Sequence, residues 1–174
     1  MPRVNDSPIA LPAAVDACRA DAEALRSLRG IYARADGEAA ERGLRCRACG
    51  ACCRFASAGH RLLVSAAELA LLTERRPAGE PAPGRCGYQL GARCTASERR
   101  PLGCRVYFCD EPPAAAAERY ERYHAEVRRL HDERGLGYAY VELTAGIAEL
   151  LAAGVAHPGG QKPDFPVDTR RGAI

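Results

Sequence analysis

The first third of the chain has the hydrophobic spacing of a helix. Between residues 12 and 43, apolar residues recur at intervals of three or four, so they line one face of a helix. This stripe consists of Val15, Cys18, Ala22, Leu25, Leu28 and Tyr32. Gly37 and Gly43 interrupt or end the pattern. The sequence therefore predicts one or two helices over residues 12–43.

The middle of the chain combines a short extended segment with a capped helix. Residues 61–64 form an apolar run that is typical of a strand. Ser65 and Glu68 have the spacing of a capping box and leucines follow them, which predicts a helix over residues 66–75. Prolines and glycines in the next ten residues, 76–85, predict a loop.

The remainder predicts a long helix, a strand and a final helix. Adjacent prolines open the long helix at residue 112, and Gly135 should end it. Its expected buried face consists of Ala116, Tyr120, Tyr123, Val127 and Leu130. Residues 138–143 alternate as a strand does, and residues 144–153 predict the final helix. The segment 155–174 is rich in proline and glycine and is expected to be a flexible tail.

Composition and charge narrow the class of protein. The chain has 174 residues, enough for one domain, and 47% of them are apolar, but it has no tryptophan and one methionine. The net charge of +3 is low for a dedicated nucleic-acid binder. The longest apolar stretch, 141–156, is too short to span a membrane, and the N-terminus has no apolar signal region. We therefore expect a cytoplasmic location.

Nine cysteines are the outstanding feature of a chain that is expected to stay in a reducing compartment. Eight of them lie close together in the sequence: Cys46, Cys49, Cys52, Cys53, Cys86, Cys94, Cys104 and Cys109. A disulfide framework would be expected to have an even number of cysteines and an export signal. Inert buried cysteines would not crowd together as they do in residues 46–53. Cys18 stands alone on the helical stripe and is interpreted as a small buried hydrophobe.

The spacing of the eight cysteines favours metal binding. In Cys-x-x-Cys the chain turns so that both sulfurs face one point, and Gly50 eases that turn. Cys46, Cys49 and Cys52 can therefore share one centre, as in the C-x2-C-x2-C run of bacterial ferredoxins. Cys53 is poorly placed for the same ion as Cys52, because adjacent side chains tend to diverge. It would serve a second centre, ligate another iron of a cluster or remain a free thiol.

The remaining ligands would come from the second cysteine group. Eight thiolates allow two zinc sites, one [4Fe–4S] cluster with spare thiols, or a cluster beside a zinc ion. Both groups are also rich in arginine: Arg42, Arg45, Arg47, Arg54 and Arg61 in the first, and Arg85, Arg93, Arg99, Arg100 and Arg105 in the second. Guanidinium groups would lower thiol pKa values and stabilise an anionic centre. A nucleic-acid patch is disfavoured, because aromatic residues do not alternate with these arginines.

Two motifs carry a resemblance to a known family. The first is Cys46-Arg-Ala-Cys49-Gly-Ala-Cys52-Cys53, and the second runs from Cys86 to Cys94 and continues as Arg100-Pro-Leu-Gly-Cys104-Arg105. Together they resemble the CxxCxxCC family of YkgJ-type cysteine-cluster proteins, which are named as zinc- or iron-chelating domains. The resemblance covers residues 44–110 and departs at residues 95–97, where Thr-Ala-Ser replaces an aliphatic–aromatic pair. It implies that these cysteines chelate a metal and leaves the metal open.

Other candidate residues carry weaker signals. His60 follows the first cysteine motif and is a possible extra ligand or hydrogen-bond donor to sulfur. His124 and His131 lie on one side of the long helix and are interpreted as ordinary helix residues. Asp110 and Glu111 precede that helix and are expected to favour its dipole. The sequence contains no nucleotide-binding, serine-hydrolase or zinc-protease motif.

These observations predict an α+β, mostly helical fold, in which a small irregular domain is organised around a cysteine metal centre. A helical segment, 1–43, packs on a cluster region, 44–110, and a helix–strand–helix segment, 111–154, completes the same domain before the tail, 155–174. The strongest ligand candidates are Cys46, Cys49 and Cys52, followed by Cys104, Cys94 and Cys86, and then Cys53 and Cys109.

The predicted function is binding of an iron–sulfur cluster, with [4Fe–4S] favoured, or of zinc, in a structural or electron-transfer role. Three alternatives stay open. One is a metalloenzyme with an open coordination site, another is a zinc-stabilised interaction or assembly module with a protein partner, and the third is metal storage or sensing. Neither a nucleic acid nor a membrane is expected as a partner.

Overall fold

The computed structural model describes residues 9–79 and 82–155, and most of them are helical. The helices are α1 (Leu11–Ala20), α2 (Ala22–Glu41), α3 (Phe55–Ala58), α4 (Ala66–Leu72), α5 (Gly103–Val106), α6 (Pro113–Arg134) and α7 (Leu143–Ala152). The strands are β1 (Leu63–Ser65), β2 (Gln89–Leu90), β3 (Arg93–Cys94) and β4 (Tyr140–Glu142). The predicted α+β, mostly helical class is confirmed. The tail predicted over 155–174 lies outside the described residues, apart from Val155.

The N-terminal pattern forms two helices, because Asp21 interrupts it. The backbone of Asp21 is extended, and its carboxylate accepts a hydrogen bond from the N–H of Ala24 at 2.9 Å, so it caps the start of α2. Val15, Cys18 and Leu28 are fully buried on the predicted stripe. Ala22 was expected there too, but it is exposed in the first turn of α2.

The helices form the core by packing in pairs, α1 on α4 and α2 on α6. Leu69, Val127 and Ile147 from three of the helices are at most 1% exposed. Burying each large aliphatic side chain stabilises the fold by roughly 2 kcal/mol. Ion pairs cross the α2–α6 surface, where Arg122 bonds both carboxylate oxygens of Glu38 at 2.9 Å.

Two small antiparallel sheets join distant segments. Strand β1 pairs with β4 in the register Leu63↔Glu142, Val64↔Val141 and Ser65↔Tyr140. The segment after the first cysteine group therefore lies beside the strand that follows α6. Strands β2 and β3 form a hairpin in which Gln89 faces Cys94. No helix in the described ranges is long and apolar enough to cross a membrane.

Helix α6 begins and ends close to the predicted positions, but its buried face is more polar than the apolar pattern indicates. It starts at Pro113, and Gly135 caps its C-terminus in the left-handed conformation. Arg119, His124 and His131 are buried on this helix beside the predicted apolar residues. Their partners lie on other segments of the chain, so the helical period does not reveal them.

Candidate metal centre

The candidate ligands lie in loops and short elements, whereas Cys18 lies in the core. Cys52 and Cys53 belong to a single 3-10 turn, Cys94 ends β3, and Cys104 lies in α5. Cys18 is 0% exposed on α1, which confirms its interpretation as a buried hydrophobe. Four of the other cysteines are exposed, namely Cys46, Cys49, Cys52 and Cys109, whereas Cys86 is buried and Cys53, Cys94 and Cys104 are half-buried.

Hydrogen bonds bring the first cysteine segment against the second. The N–H of Cys86 donates to the carbonyl of Cys53 at 2.8 Å. The side-chain amide of Gln89 donates to the carbonyl of Gly50 at 3.0 Å, and Gln89 faces Cys94 in the hairpin. Two motifs that are far apart in the sequence are therefore neighbours in the fold.

The first motif is tightly curled. Gly50 has a φ of 71°, and a Cβ at this position would clash with the side-chain amide of Gln89 and lie 3.2 Å from the backbone of Ala92. Ala48 also has a positive φ, 50°, which is uncommon outside glycine. Its N–H donates to the sulfur of Cys46 at 3.4 Å. These two positive φ values bend the backbone of the first motif sharply between Cys46 and Cys52.

The thiols of the two segments influence one another. For Cys53, a hydrogen bond with Cys52 lowers the pKa, but a hydrogen bond with Cys86, burial and the thiol of Cys94 outweigh it and raise the pKa to about 11. The hydrogen bond with Cys53, followed by burial, raises the pKa of Cys52. Burial, followed by Cys94 and Cys53, raises the pKa of Cys104. These thiols therefore hold their protons at neutral pH when no metal is bound.

Cys109 approaches the same region from a third segment. Desolvation, followed by the thiols of Cys49 and Cys52, raises its pKa. Beside it, the guanidinium of Arg47 donates to the carboxylate of Asp110 at 2.5 Å, which links the first motif to the chain after α5. Both side chains are exposed, so this ion pair contributes no more than about 1 kcal/mol.

The structure thus brings most of the predicted ligands into one neighbourhood, without forming a coordination shell. Hydrogen bonds or electrostatic interactions connect seven of the eight candidates: Cys49, Cys52, Cys53, Cys86, Cys94, Cys104 and Cys109. For Cys46 the contact is with the N–H of Ala48. Within residues 9–79 and 82–155, no three side chains of cysteine, histidine, aspartate or glutamate stand in a geometry that could hold an ion.

Arg105 holds the segment that carries Cys104 against α2. Its guanidinium lies over the ring of Tyr32, 4.2 Å from the centroid, and pairs with the carboxylate of Asp36. Its Nε donates to the carbonyl of Arg100 at 2.7 Å. Because Arg105 is 3% exposed and bonded in this way, it holds the backbone around Cys104 in place.

The predicted effect of arginine on thiol pKa is present but is outweighed. The largest effects raise the pKa of both thiols: the hydrogen bond with Cys53 for Cys52, and burial for Cys104. The positive charge of Arg100 lowers both pKa values by a smaller amount. Arg47 does the same for Cys109, again against a larger effect of desolvation. The net direction of the pKa shift is upward at all three thiols, because desolvation at Cys104 and Cys109, and the hydrogen bond with Cys53 at Cys52, outweigh the arginines.

Glu68 ties α4 to the backbone beside Cys104. Its carboxylate is 1% exposed and accepts the N–H of Ser65 and the N–H of Leu102, each at 2.8 Å. It also accepts the hydroxyl of Tyr32 at 3.4 Å. The capping box predicted for α4 is confirmed. The bond to Leu102 has no sequence signal, because its partners are 34 residues apart.

A second buried charge lies beside Cys109. Glu111 and Arg119 form an ion pair in which their side chains are 5% and 1% exposed, and Arg119 also donates to the carbonyl of Val106. Asp110 and Glu111 precede the N-cap of α6, Pro112, as the sequence predicts, and their effect on the helix dipole stays a prediction. Each of these carboxylates also pairs with an arginine.

His60 lies in a surface pocket whose lining contains no cysteine. The pocket has a volume of about 500 Å³, and its polar lining residues are His60, Arg61, Glu142 and Thr144. The ring of His60 packs edge-on against Phe55, with 5.3 Å between centroids. Glu142 is already engaged as the cap of α7, where it accepts the N–H of Ala145 at 2.8 Å.

An aromatic cluster begins beside the Cys104 segment and extends to the surface. Its members are Tyr107, Tyr120, His124, Tyr138 and Tyr140. The hydroxyls of Tyr120 and Tyr140 are 2.6 Å apart, and Nε2 of His124 lies 2.7 Å from the hydroxyl of Tyr138. A Cβ at Gly103 would lie 3.9 Å from the ring of Tyr120. Of these residues the sequence analysis singled out only Tyr120 and His124, and the helical period does not show that Tyr107, Tyr138 and Tyr140 lie beside them.

Comparisons with protein-family models, with curated proteins and with solved structures found no match. The resemblance to the CxxCxxCC family therefore rests on the two cysteine motifs, Cys46 to Cys53 and Cys86 to Arg105.

Proposed function

We propose that this chain binds a metal ion or an iron–sulfur cluster through the eight cysteines between Cys46 and Cys109. The observation that carries this proposal is the convergence of three separate segments on one thiol-rich neighbourhood. The hydrogen bond from Cys86 to Cys53, and the Arg47–Asp110 ion pair beside Cys109, produce that convergence. We also propose membership of the CxxCxxCC family, on the strength of the motifs alone.

The donor set fits a soft metal centre. Thiolates prefer zinc, copper(I) and iron–sulfur clusters, and the neighbourhood contains sulfur donors in excess of the four that one tetrahedral site needs. A bound zinc ion would supply a cross-link between the loops, whereas an iron–sulfur cluster would also supply one-electron chemistry. Because the pKa values of Cys53 and Cys104 are raised without metal, binding would release protons and should strengthen as the pH rises.

The primary role supported by the fold is structural. The first cysteine motif lies in a segment, 45–54, where apart from Gly50 and the half-buried Cys53 every residue is exposed, so it has little apolar surface to hold it in place. Cys94 of the hairpin and Cys104 of α5 pack on the core, as Cys53 does at the end of this segment. A bound centre would join the rest of the segment to these two elements. Metal binding and local folding should therefore be coupled.

An electron-transfer role is the second candidate, and the aromatic cluster favours it. The ring of Tyr120 lies 5.9 Å from that of Tyr107, which directly follows α5, and Tyr107 and Tyr138 are 50% and 39% exposed. Tilted and stacked rings with centroids about 5 to 6 Å apart form this cluster. If the bound centre is redox-active, these aromatic side chains would provide a pathway for electron transfer between it and the protein surface.

A matched pair of variants tests the metal-binding proposal. Cys104→Ser should weaken metal binding by at least about tenfold in affinity, because it removes a half-buried sulfur donor. The variant should therefore retain less metal per chain than the wild-type protein. Cys18→Ala should leave metal binding unchanged, since Cys18 lies in the core on α1. Metal content is measured by elemental analysis after gel filtration. Equal metal content in both variants and in the wild-type protein would contradict the proposal.

A further inference from the structure

The second cysteine segment holds the 3-10 turn of the first motif at both of its ends. This turn, Ala51–Cys53, follows Gly50, whose carbonyl accepts the N–H of Cys53 at 3.3 Å. The same carbonyl accepts the side-chain amide of Gln89 at 3.0 Å. At the end of the turn, the carbonyl of Cys53 accepts the N–H of Cys86 at 2.8 Å. A side chain therefore fixes the start of the turn, and a backbone bond fixes its end.

Backbone bonds place Gln89 between two cysteines of the second segment. Its N–H donates to the carbonyl of Cys86 at 3.1 Å, and it pairs with Cys94 in the hairpin register. Directly paired residues of antiparallel strands project their side chains from the same face. Because the side chain of Gln89 reaches Gly50, the side chain of Cys94 lies on the hairpin face that is turned towards the first motif. One residue thus connects the first motif to both Cys86 and Cys94.

The side-chain amide of Gln89 is buried and makes a single hydrogen bond. Gln89 is 7% exposed, and its Oε1 has no partner within the described part of the chain. A carbonyl can only accept a hydrogen bond, so Nε2 must face Gly50, and this fixes the orientation of the amide. An unpaired buried oxygen lowers stability. The contribution of this side chain is therefore the placement of the turn rather than the stability of the core.

We propose that Gln89 is the residue that positions the first cysteine motif for metal binding. Its amide keeps the turn against the hairpin, so that Cys53 lies beside Cys86 and Cys94 before an ion arrives. Ligands that are held in advance lose less conformational freedom on binding, so the centre binds more tightly. Gln89 acts through the turn and is not itself a ligand. This role rests on the proposed metal-binding function, whereas the placement of the turn can be measured without metal.

Two substitutions of Gln89 test its effect on metal affinity in the reduced full chain. Gln89→Leu removes the amide donor without adding a charge or a sulfur, and Gln89→Glu keeps the shape but has no N–H to donate. In a zinc competition assay, both variants should bind about tenfold more weakly than the wild-type protein. The control is Leu90→Ala, an exposed position of the same strand, which should bind zinc as the wild-type protein does.

Amide hydrogen exchange of the metal-free full chain, followed by NMR, tests the placement of the turn itself. In Gln89→Leu, the N–H groups of Cys53 and Cys86 should exchange at least about threefold faster than in the wild-type protein, because the bonds they make lose the neighbouring anchor. The N–H of Val127 in the buried part of α6 should exchange at an unchanged rate. Equal acceleration at all three positions would show a general loss of stability and overturn the positioning role.

The two measurements separate failure of this role from failure of the metal site. Faster exchange at Cys53 and Cys86 together with weaker zinc binding is the expected result. Zinc affinities or exchange rates that match the wild-type values in both Gln89 variants would overturn the positioning role. A wild-type protein that binds neither zinc nor a reconstituted iron–sulfur cluster would instead overturn the metal-binding function, while the exchange rates would still report whether Gln89 holds the turn.

Discussion

Arg105 shows how one buried side chain positions a candidate ligand. Lysine would keep the charge but lose the planar stacking on Tyr32 and the forked hydrogen bonding, so Arg105→Lys should lower the free energy of unfolding by about 2 kcal/mol. Urea denaturation followed by circular dichroism measures this change. The control is Arg93→Lys, an exposed position in the hairpin, where a change within about 0.5 kcal/mol is expected. Equal effects would contradict the anchoring role.

The Glu111–Arg119 ion pair is a second residue-level test. Glu111→Gln leaves the guanidinium of Arg119 buried without its counter-charge and should cost about 3 kcal/mol of unfolding free energy. Glu118→Gln lies on the exposed face of the same helix and should have little effect. Chemical denaturation of both variants gives the two changes in unfolding free energy. A change for Glu111→Gln no larger than that for Glu118→Gln would refute the buried-pair interpretation.

Cys18 provides a prediction of pH dependence outside the candidate centre. Burial, with a smaller contribution from Asp21, raises its pKa from 9.0 to about 11, so the folded state holds the proton more tightly than the unfolded state. The resulting stability is present below pH 9 and is lost as the pH rises towards 11. The stability difference between the wild-type protein and Cys18→Ala should therefore shrink by about 2 kcal/mol over this range. A difference that stays constant with pH would contradict the buried thiol.

At the scale of elements, the close approach of the first motif to the β2–β3 hairpin can be tested with two glycines. Gly50 and Gly43 have φ values of 71° and 72°, but a Cβ at Gly43 meets nothing within 4 Å. Both alanine variants bear a similar backbone strain of about 1 kcal/mol. Only Gly50→Ala pushes the motif away from Gln89, so it alone should weaken metal binding, by about tenfold. Equal metal affinities in a competition assay would show that the approach is not needed.

The sequence predicts those elements whose signals are local. The prolines before α6, Gly135 after it, and the Ser65–Glu68 capping box place helix ends correctly, because each acts within a few residues. The short α5 and the β2–β3 hairpin were not predicted. Their positions depend on distant contacts, such as the bond from Leu102 to Glu68, which leave no periodic trace in the sequence.

The candidate site follows the same division between local and distant signals. Cysteine spacing identifies the candidate ligands, and seven of them interact through hydrogen bonds or electrostatically. Spacing does not reveal which thiols are buried, because burial depends on how the hairpin and α5 pack on the core. It also misses Arg105 and Glu68, whose buried contacts hold the loops that carry the cysteines.

For the whole molecule, metal binding should add stability beyond that of the helical core. Removing the metal with a chelator under reducing conditions should lower the midpoint of thermal unfolding and expose residues 45–54 to proteolysis first, since that segment has few buried side chains. Circular dichroism should meanwhile show that the long helices persist, because α1, α2, α4 and α6 have their own apolar core. Complete unfolding on chelation would contradict a separate helical core, and no change would contradict the coupling.

The central claim is that the cysteine neighbourhood holds a metal centre, and its composition is the most direct test. Iron, zinc and acid-labile sulfide should be measured per chain in protein purified without oxygen, beside the visible spectrum. The account predicts either stoichiometric zinc without sulfide, or iron and sulfide in comparable amounts with a brown colour that dithionite bleaches. A protein that holds neither metal, even after reconstitution with iron, sulfide or zinc, would contradict it.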